Sequence, residues 1–177
     1  MTRKQRACGL LLLLGVATTA RAQLLNGDVN FPILNEIRWE SKMNEVRTIC
    51  ERRHAAESST DSAIVISVPM LGFKARTEMK FDQGLKTLKS VQVKYHDCTK
   101  ILVDSLTSHF TRIFGRGPIR TVKEKSFIVI TLRIEMAMWR SSMGLVSLVT
   151  AMRDDSLFDA SLVLYPPTTQ QSQSSPK

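Results

Sequence analysis

The segment FKARTEMKFD, residues 73–82, alternates at every position, and this period of two constrains the fold more than any other feature of the sequence. Successive side chains of a β-strand point to opposite faces of a sheet, so the pattern predicts a strand with one buried face and one solvated face. The predicted buried face carries Phe73, Ala75, Thr77, Met79 and Phe81. The predicted solvated face carries Lys74, Arg76, Glu78 and Lys80.

Five further segments have the composition of strands. They are residues 62–70, 88–95, 126–139, 143–152 and 157–165. In residues 126–139 every second position is apolar, and this series predicts the core-facing side. The series consists of Ile128, Ile130, Leu132, Ile134, Met136 and Met138.

Two segments have helical periodicity instead. In residues 41–53, Met43, Val46, Ile49 and Cys50 fall on one face of a helix, and Ser41 precedes them as a candidate N-cap. In residues 98–114 the apolar stripe is stronger, and the glycine that follows is typical of a helix C-terminus. The stripe consists of Leu102, Leu106, Phe110 and Ile113.

The order of elements predicts the fold class. A helix followed by three strands occurs twice, in residues 37–96 and again in residues 97–165. Antiparallel strands with helices kept to one side form an α+β domain. We therefore expect a single domain over residues 37–165, with two αβββ units forming one antiparallel sheet and both helices on one face.

The first 22 residues have the pattern of a secretory signal peptide. Three basic residues precede an apolar run from Gly9 to Ala17, and Ala20 and Ala22 occupy the small-residue positions of a cleavage site. The run is about half the ~20 residues that a membrane-spanning helix needs, and no later segment is long and apolar enough to span a membrane. Export to the periplasm or the medium is expected. Removal of residues 1–22 takes four basic and no acidic residues from a net charge of +9, which leaves +5.

The segments next to the domain have few apolar residues or contain helix-breaking residues. Residues 23–36 contain Gly27 and Pro32 and are predicted to form an exposed leader. Residues 166–177 are rich in Pro, Gln and Ser and are predicted to form a disordered tail.

Two cysteines, Cys50 and Cys98, follow the signal peptide. In an oxidising compartment a pair of cysteines is interpreted first as a disulfide, and the alternative is two buried thiols. Antiparallel packing of the two predicted helices places the end of the first near the start of the second. The sequence therefore favours a Cys50–Cys98 bridge.

No catalytic or metal-binding motif is present. His54, His96 and His109 lack the spacing of metal ligands, and no serine lies in a nucleophile-elbow motif. No phosphate-binding loop and no nucleic-acid-binding pattern occurs. These observations favour a protein that is not an enzyme, with no cofactor, no metal and no nucleic-acid partner.

The helix start around Trp39, Ser41 and Val46 resembles that of many small exported bacterial proteins. In element order, one helix followed by three antiparallel strands resembles the small outer-membrane assembly lipoproteins. The doubled form resembles the beta-lactamase inhibitory proteins, in which a tandem repeat is exported as a protein-binding module. The resemblance implies an α+β fold and a protein-binding role, and it assigns no functional residue.

The leading functional interpretation is an exported, non-catalytic module that binds a protein or a component of the cell envelope. The residues expected at its binding surface are Trp39, Lys74, Arg76, Lys80 and Trp139. Trp39 and Trp139 also have the position of residues that pack over the edge of a core. The alternative function is a small-ligand carrier, or an enzyme with a pocket that no motif reveals.

Overall fold

A computed structural model of the chain describes residues 28–127, 129–141 and 144–167, apart from the side chains of residues 56 and 57. The predicted signal peptide, the first residues of the predicted leader, Ile128 and most of the predicted tail lie outside the described residues. In chain order the elements are α1 (Met43–Arg52), β1 (Ala56–Ser59), β2 (Ala63–Ser67), β3 (Ala75–Phe81), β4 (Leu88–Tyr95), α2 (Lys100–Phe114), β5 (Ile119–Ser126), β6 (Thr131–Ser141), β7 (Gly144–Arg153) and β8 (Ser156–Tyr165).

The strands form one antiparallel sheet with the order β1-β2-β3-β4-β8-β7-β6-β5. Strands that follow one another in the chain pair as neighbours on each side, and β4 pairs with β8 in the middle. Val91 lies opposite Leu164 in that central pair, and Val93 lies opposite Leu162. An antiparallel sheet with two helices confirms the predicted α+β class.

Each helix is followed by four strands, so the predicted count of three is wrong. The two strands that the sequence did not predict are β1 and β5, the two edges of the sheet. All eight residues of β5 are exposed. A strand with no buried face lacks the hydrophobic alternation from which strands are recognised.

One face of the sheet carries the hydrophobic core. In the pairing register, Ile66, Thr77, Val93, Leu162 and Leu148 form one row across five strands, and all five are buried. Facing residues of an antiparallel pair point to the same side, so the whole row belongs to one face. The predicted inward positions of β3 and β4 are confirmed, because Ala75, Thr77, Met79, Phe81, Val91, Val93 and Tyr95 are buried.

The predicted inward face of β6 is wrong. Its buried residues are Ala137 and Trp139, whereas Met136 and Met138 are only half-buried and Ile134 is exposed. Ala137 lies opposite Leu148 and Trp139 lies opposite Val146, both of which belong to the core. Ile134, Met136 and Met138 therefore lie on the face away from the core.

Both helices contribute to the same core. In α1 the buried residues are Met43, Val46 and Cys50, and the helix packs against β1 and β2. Its N-cap is Lys42, whose N–H donates to Glu45, while the predicted cap Ser41 instead accepts a bond from the Arg38 N–H.

The second helix, α2, packs against β6 and β7. Its predicted stripe is confirmed at Leu102, Leu106 and Phe110, which are fully buried. Thr99 caps its start by accepting from the Leu102 N–H at 3.2 Å. Gly115 ends it with φ at 65°, a left-handed conformation that glycine adopts without strain.

The described part of the predicted leader is exposed only in part, at Val29, Asn30 and Pro32. Phe31 and Leu34 are fully buried, as is Ile37 just after the segment, and Ile33 is nearly so. The Phe31 ring lies 5.6 Å from the rings of both His109 and Phe110 on α2. Although Pro32 interrupts regular structure, Phe31 packs against α2, and the burial of Phe31, Ile33 and Leu34 stabilises the irregular conformation.

The predicted disulfide is also wrong, because Cys50 and Cys98 are free. Cys50 is buried on α1, which packs on β1 and β2, whereas Cys98 lies beside the backbone of Ala160 on β8. From β2 to β8 is three strand spacings, or ~14 Å. The Cα atoms of a disulfide must lie within ~7 Å of one another, so the two thiols cannot meet.

The assignment of faces in β6 gives a prediction from two adjacent residues. Trp139→Ala should lower the free energy of unfolding by about 3–5 kcal/mol, because it removes a buried side chain and leaves a cavity. Met138→Ala should lower it by about 1 kcal/mol or less, because Met138 points away from the core. Denaturant titration followed by circular dichroism measures both, and a larger loss for Met138→Ala would contradict the assigned faces.

Candidate functional site

The sheet has a second face, opposite the one that carries the core, which we call the open face. Its polar half is formed by β2, β3 and β4, and its side chains there are Ala63, Val65, Ser67, Arg76, Glu78, Lys80, Ser90, Gln92 and Lys94. Glu78 and Lys80 form an ion pair at 3.5 Å within this half. This is the solvated face that the alternation in β3 predicts.

The other half of the open face, formed by β5 to β8, is apolar. We call it the apolar half, and its apolar members are Ile119, Leu132, Ile134, Met136, Met138, Leu145, Val149, Ala151 and Val163. Thr121, Ser147 and Ser161 are the small polar residues that lie among them. Ile119 is 69% exposed and Ile134 is 46% exposed. Met136, Met138 and Val149 are half-buried. Contiguous apolar surface of this kind on a sheet face is typical of interaction sites.

Cations predominate at the border of the apolar half. Lys123 lies opposite Ile134, Lys125 opposite Leu132, and Arg140 opposite Leu145. Arg153 also faces Leu132, and all four cations are exposed. Asp159, opposite Ala151, is the acidic residue of this half among the described strand positions. The electrostatic potential at this border is therefore positive.

The residues predicted to form a binding surface separate into two groups. Lys74, Arg76 and Lys80 are exposed, and Arg76 and Lys80 belong to the polar half. Trp39 and Trp139 are buried, with 5% and 1% exposure, so their rings are not available to a partner. The Trp139 ring lies 5.6 Å from the Phe110 ring, which explains its burial.

Sequence reasoning placed Met136 and Met138 in the core and so missed the apolar half. Both faces of β6 contain apolar residues, and the more continuous series predicts the wrong face as the inner one. The signal that identifies the inner face is the size of Trp139, because a buried tryptophan contributes more apolar area than any single methionine.

His109 is the one histidine with a buried environment in the described part of the chain. Its Nε2 lies 2.5 Å from Asp28 Oδ2, and both side chains are buried. The Arg112 guanidinium approaches Nδ1 at 3.4 Å. These contacts join the segment before α1 to α2.

The two thiols differ in burial. Burial, with a smaller effect from the charge of Glu51, raises the pKa of Cys50 to about 11. Burial also raises the pKa of Cys98, and a backbone hydrogen bond from Ala160 opposes that shift. Cys98 is only half-buried, and its Sγ contacts the Tyr95 carbonyl oxygen at 3.5 Å. A buried thiol with a raised pKa is a poor nucleophile.

No group of three or more metal-binding side chains occurs within the described ranges. No helix of the same residues is long and apolar enough to cross a membrane. Comparisons of the chain with protein-family models, with curated proteins and with solved structures gave no match.

The raised pKa gives a prediction about thiol reactivity. At pH 8 a thiol reagent should modify Cys98 first, and Cys50 should react only when the protein unfolds or the pH approaches about 11. Thiolate is the reactive form, and burial disfavours it at Cys50 below that pH. Peptide mapping after timed alkylation measures both rates. Equal rates in the native protein, or a Cys50–Cys98 bridge, would contradict this arrangement.

Proposed function

We propose that the protein is an exported, non-catalytic binding module that engages a protein or another component of the cell envelope. The observation that carries this proposal is the apolar half, where Met136, Met138 and Ile134 point away from the core. Methionine side chains are flexible and polarizable, and they adapt to partners of different shape. Exposure of such an apolar surface to water is unfavourable, and a partner that covers the surface removes this contact with water.

We also propose that the fold is a duplication of an αββββ unit, with both helices on the face opposite the open face. In this arrangement β2, β3 and β4 correspond to β6, β7 and β8. The open face is mostly polar on β3 and β4 of the first unit and mostly apolar on β6 and β7 of the second. The same architecture thus accommodates either chemistry, and the apolar half is a specialisation of one unit.

The cations at the border of the apolar half indicate which kind of partner surface would fit. An apolar surface edged by Lys123, Lys125, Arg140 and Arg153 is complementary to an apolar surface edged by acidic groups. A sheet face of this kind accommodates a partner helix or a partner sheet. We therefore expect a partner whose contact surface combines apolar side chains with carboxylates or other anions.

A second candidate function is the binding of a small ligand. A depression of about 650 Å³, open to solvent, is lined by Ile130, Leu132, Arg153, Asp154, Ser156 and Phe158. Its volume lies within the range of ligand sites. Asp154 already accepts a bond from the Thr131 N–H at 2.9 Å, so this carboxylate is engaged in holding the turn before β6. The open shape favours the first function.

A pair of variants on one cross-strand row tests the proposed surface. Met138 and Gln92 both lie on the open face, and the row between them runs through Ser147 and Val163. A photo-crosslinking side chain at position 136 should give a discrete adduct with another molecule in living cells. Met138→Lys should abolish the adduct, because a charge in the apolar half is not tolerated at the interface, and Gln92→Lys should leave it intact.

The position of the crosslinker supplies a further control. A crosslinking side chain at Ser90, in the polar half, should not give that adduct. Adducts of the same kind from positions 90 and 136, or an adduct that survives Met138→Lys, would contradict the proposal.

A further inference from the structure

The two edges of the sheet differ in length and regularity. The edge strand β1 has four residues, and a bulge between Ala56 and Ser58 interrupts its register with β2. The opposite edge strand β5 has eight residues and pairs with β6 without irregularity from Ile119 to Ser126. Short and bulged edges resist pairing with other chains, whereas long and regular edges permit it. The available edge is therefore β5.

Strand β5 is exposed to solvent along its whole length, as expected for a strand that could pair with another chain. Each of its eight residues is exposed, including Ile119 at 69% and Val122 at 50%. Ile119 lies on the open face because it faces Met138, and Val122 lies on the opposite face because it faces Glu135. An added strand on this edge would contact both apolar side chains and pair the outer backbone groups of β5.

We propose that β5 pairs antiparallel with β5 of a second copy of this chain, about a twofold axis that passes between the two Val122 residues. In this register Arg120 faces Glu124 of the second copy, and Glu124 faces its Arg120. Two opposite-charge pairs thus flank a Val122–Val122 contact, all on the face that Glu135 shares. The strand is self-complementary, as an isologous interface requires.

The neighbouring symmetric registers are less favourable. An axis at Lys123 or at Glu124 places like charges directly opposite one another, which is destabilising. An axis at Thr121 leaves Arg120 facing Val122 and pairs no opposite charges. In the Val122 register the strand's lysines face Thr121 and Ile119, so the lysines that normally protect an edge do not prevent this pairing.

The geometry of the dimer is compatible with the helices. From β6 to β6 of the second copy is three strand spacings, or ~14 Å, which leaves room for both α2 helices on the core side. A twofold axis perpendicular to the sheet keeps the two open faces on the same side. The two open faces are then continuous across the axis, with Thr121, Lys123 and Lys125 of both copies between the two apolar halves. The proposed pairing of β5 does not depend on the proposed partner binding, because either one can be correct if the other is wrong.

Charge reversal on β5 tests the register. Sedimentation equilibrium of the purified protein should give twice the mass of one chain. Arg120→Glu and Glu124→Arg should each weaken the dimer about tenfold or more, because each places like charges opposite one another twice. The double variant Arg120→Glu/Glu124→Arg should restore the dimer, because it recreates both pairs. Lys123→Glu is the matched control and should remain dimeric, because Lys123 faces Thr121.

Far-UV circular dichroism should be the same for all variants, since every substituted residue is exposed. Restoration in the double variant separates a specific pairing from general damage to the strand. A wild-type protein that sediments as a monomer, or a dimer that persists in both single variants, would overturn the proposal. A double variant that stays monomeric with an intact spectrum would overturn it as well.

Discussion

The contact between the Trp139 indole and the Phe110 ring determines the character of half of the sheet. The two rings are 5.6 Å apart, and Trp139 is 1% exposed. Side chains alternate along a strand, so the inward position of Trp139 forces Met136 and Met138 outward. Facing residues of paired strands point to the same side of the sheet. Ile119 on β5 and Val149 on β7, which face Met138 and Met136, therefore also point outward. The burial of one aromatic residue thus places a set of apolar side chains on the open face.

The two halves of the open face differ in polarity, and this difference is the basis of the proposed binding function. In the polar half, Glu78 and Lys80 form an ion pair, as expected for a face in contact with water. In the apolar half, Ile134 is 46% exposed beside Lys123. A folded chain gains nothing from keeping such residues in water, so we infer that they serve binding. The regular β5 edge lies next to the same surface, and the proposed dimer would place two such surfaces on one continuous open face.

The sequence predicts those parts of the fold in which one face is apolar and the other is charged. This holds for β3, where Thr77 and Met79 alternate with charges, and for the stripe of α2. It does not hold for β6, because both faces contain apolar residues and burial depends on pairing with distant β7. Nor does it hold for β5, which has no buried face. The prediction of a disulfide is wrong because the distance between Cys50 and Cys98 depends on where each lies on the sheet, and chain order does not reveal this.

The exposure of methionines tests whether the apolar half lies outside the core. Hydrogen peroxide oxidises accessible methionine to the sulfoxide, and mass spectrometry of peptides follows each residue separately. Met136 and Met138 should be oxidised in the native protein well before Met70 and Met79, which are fully buried. Protection of Met136 and Met138 equal to that of Met79, in a protein kept dilute and free of partners, would contradict the account.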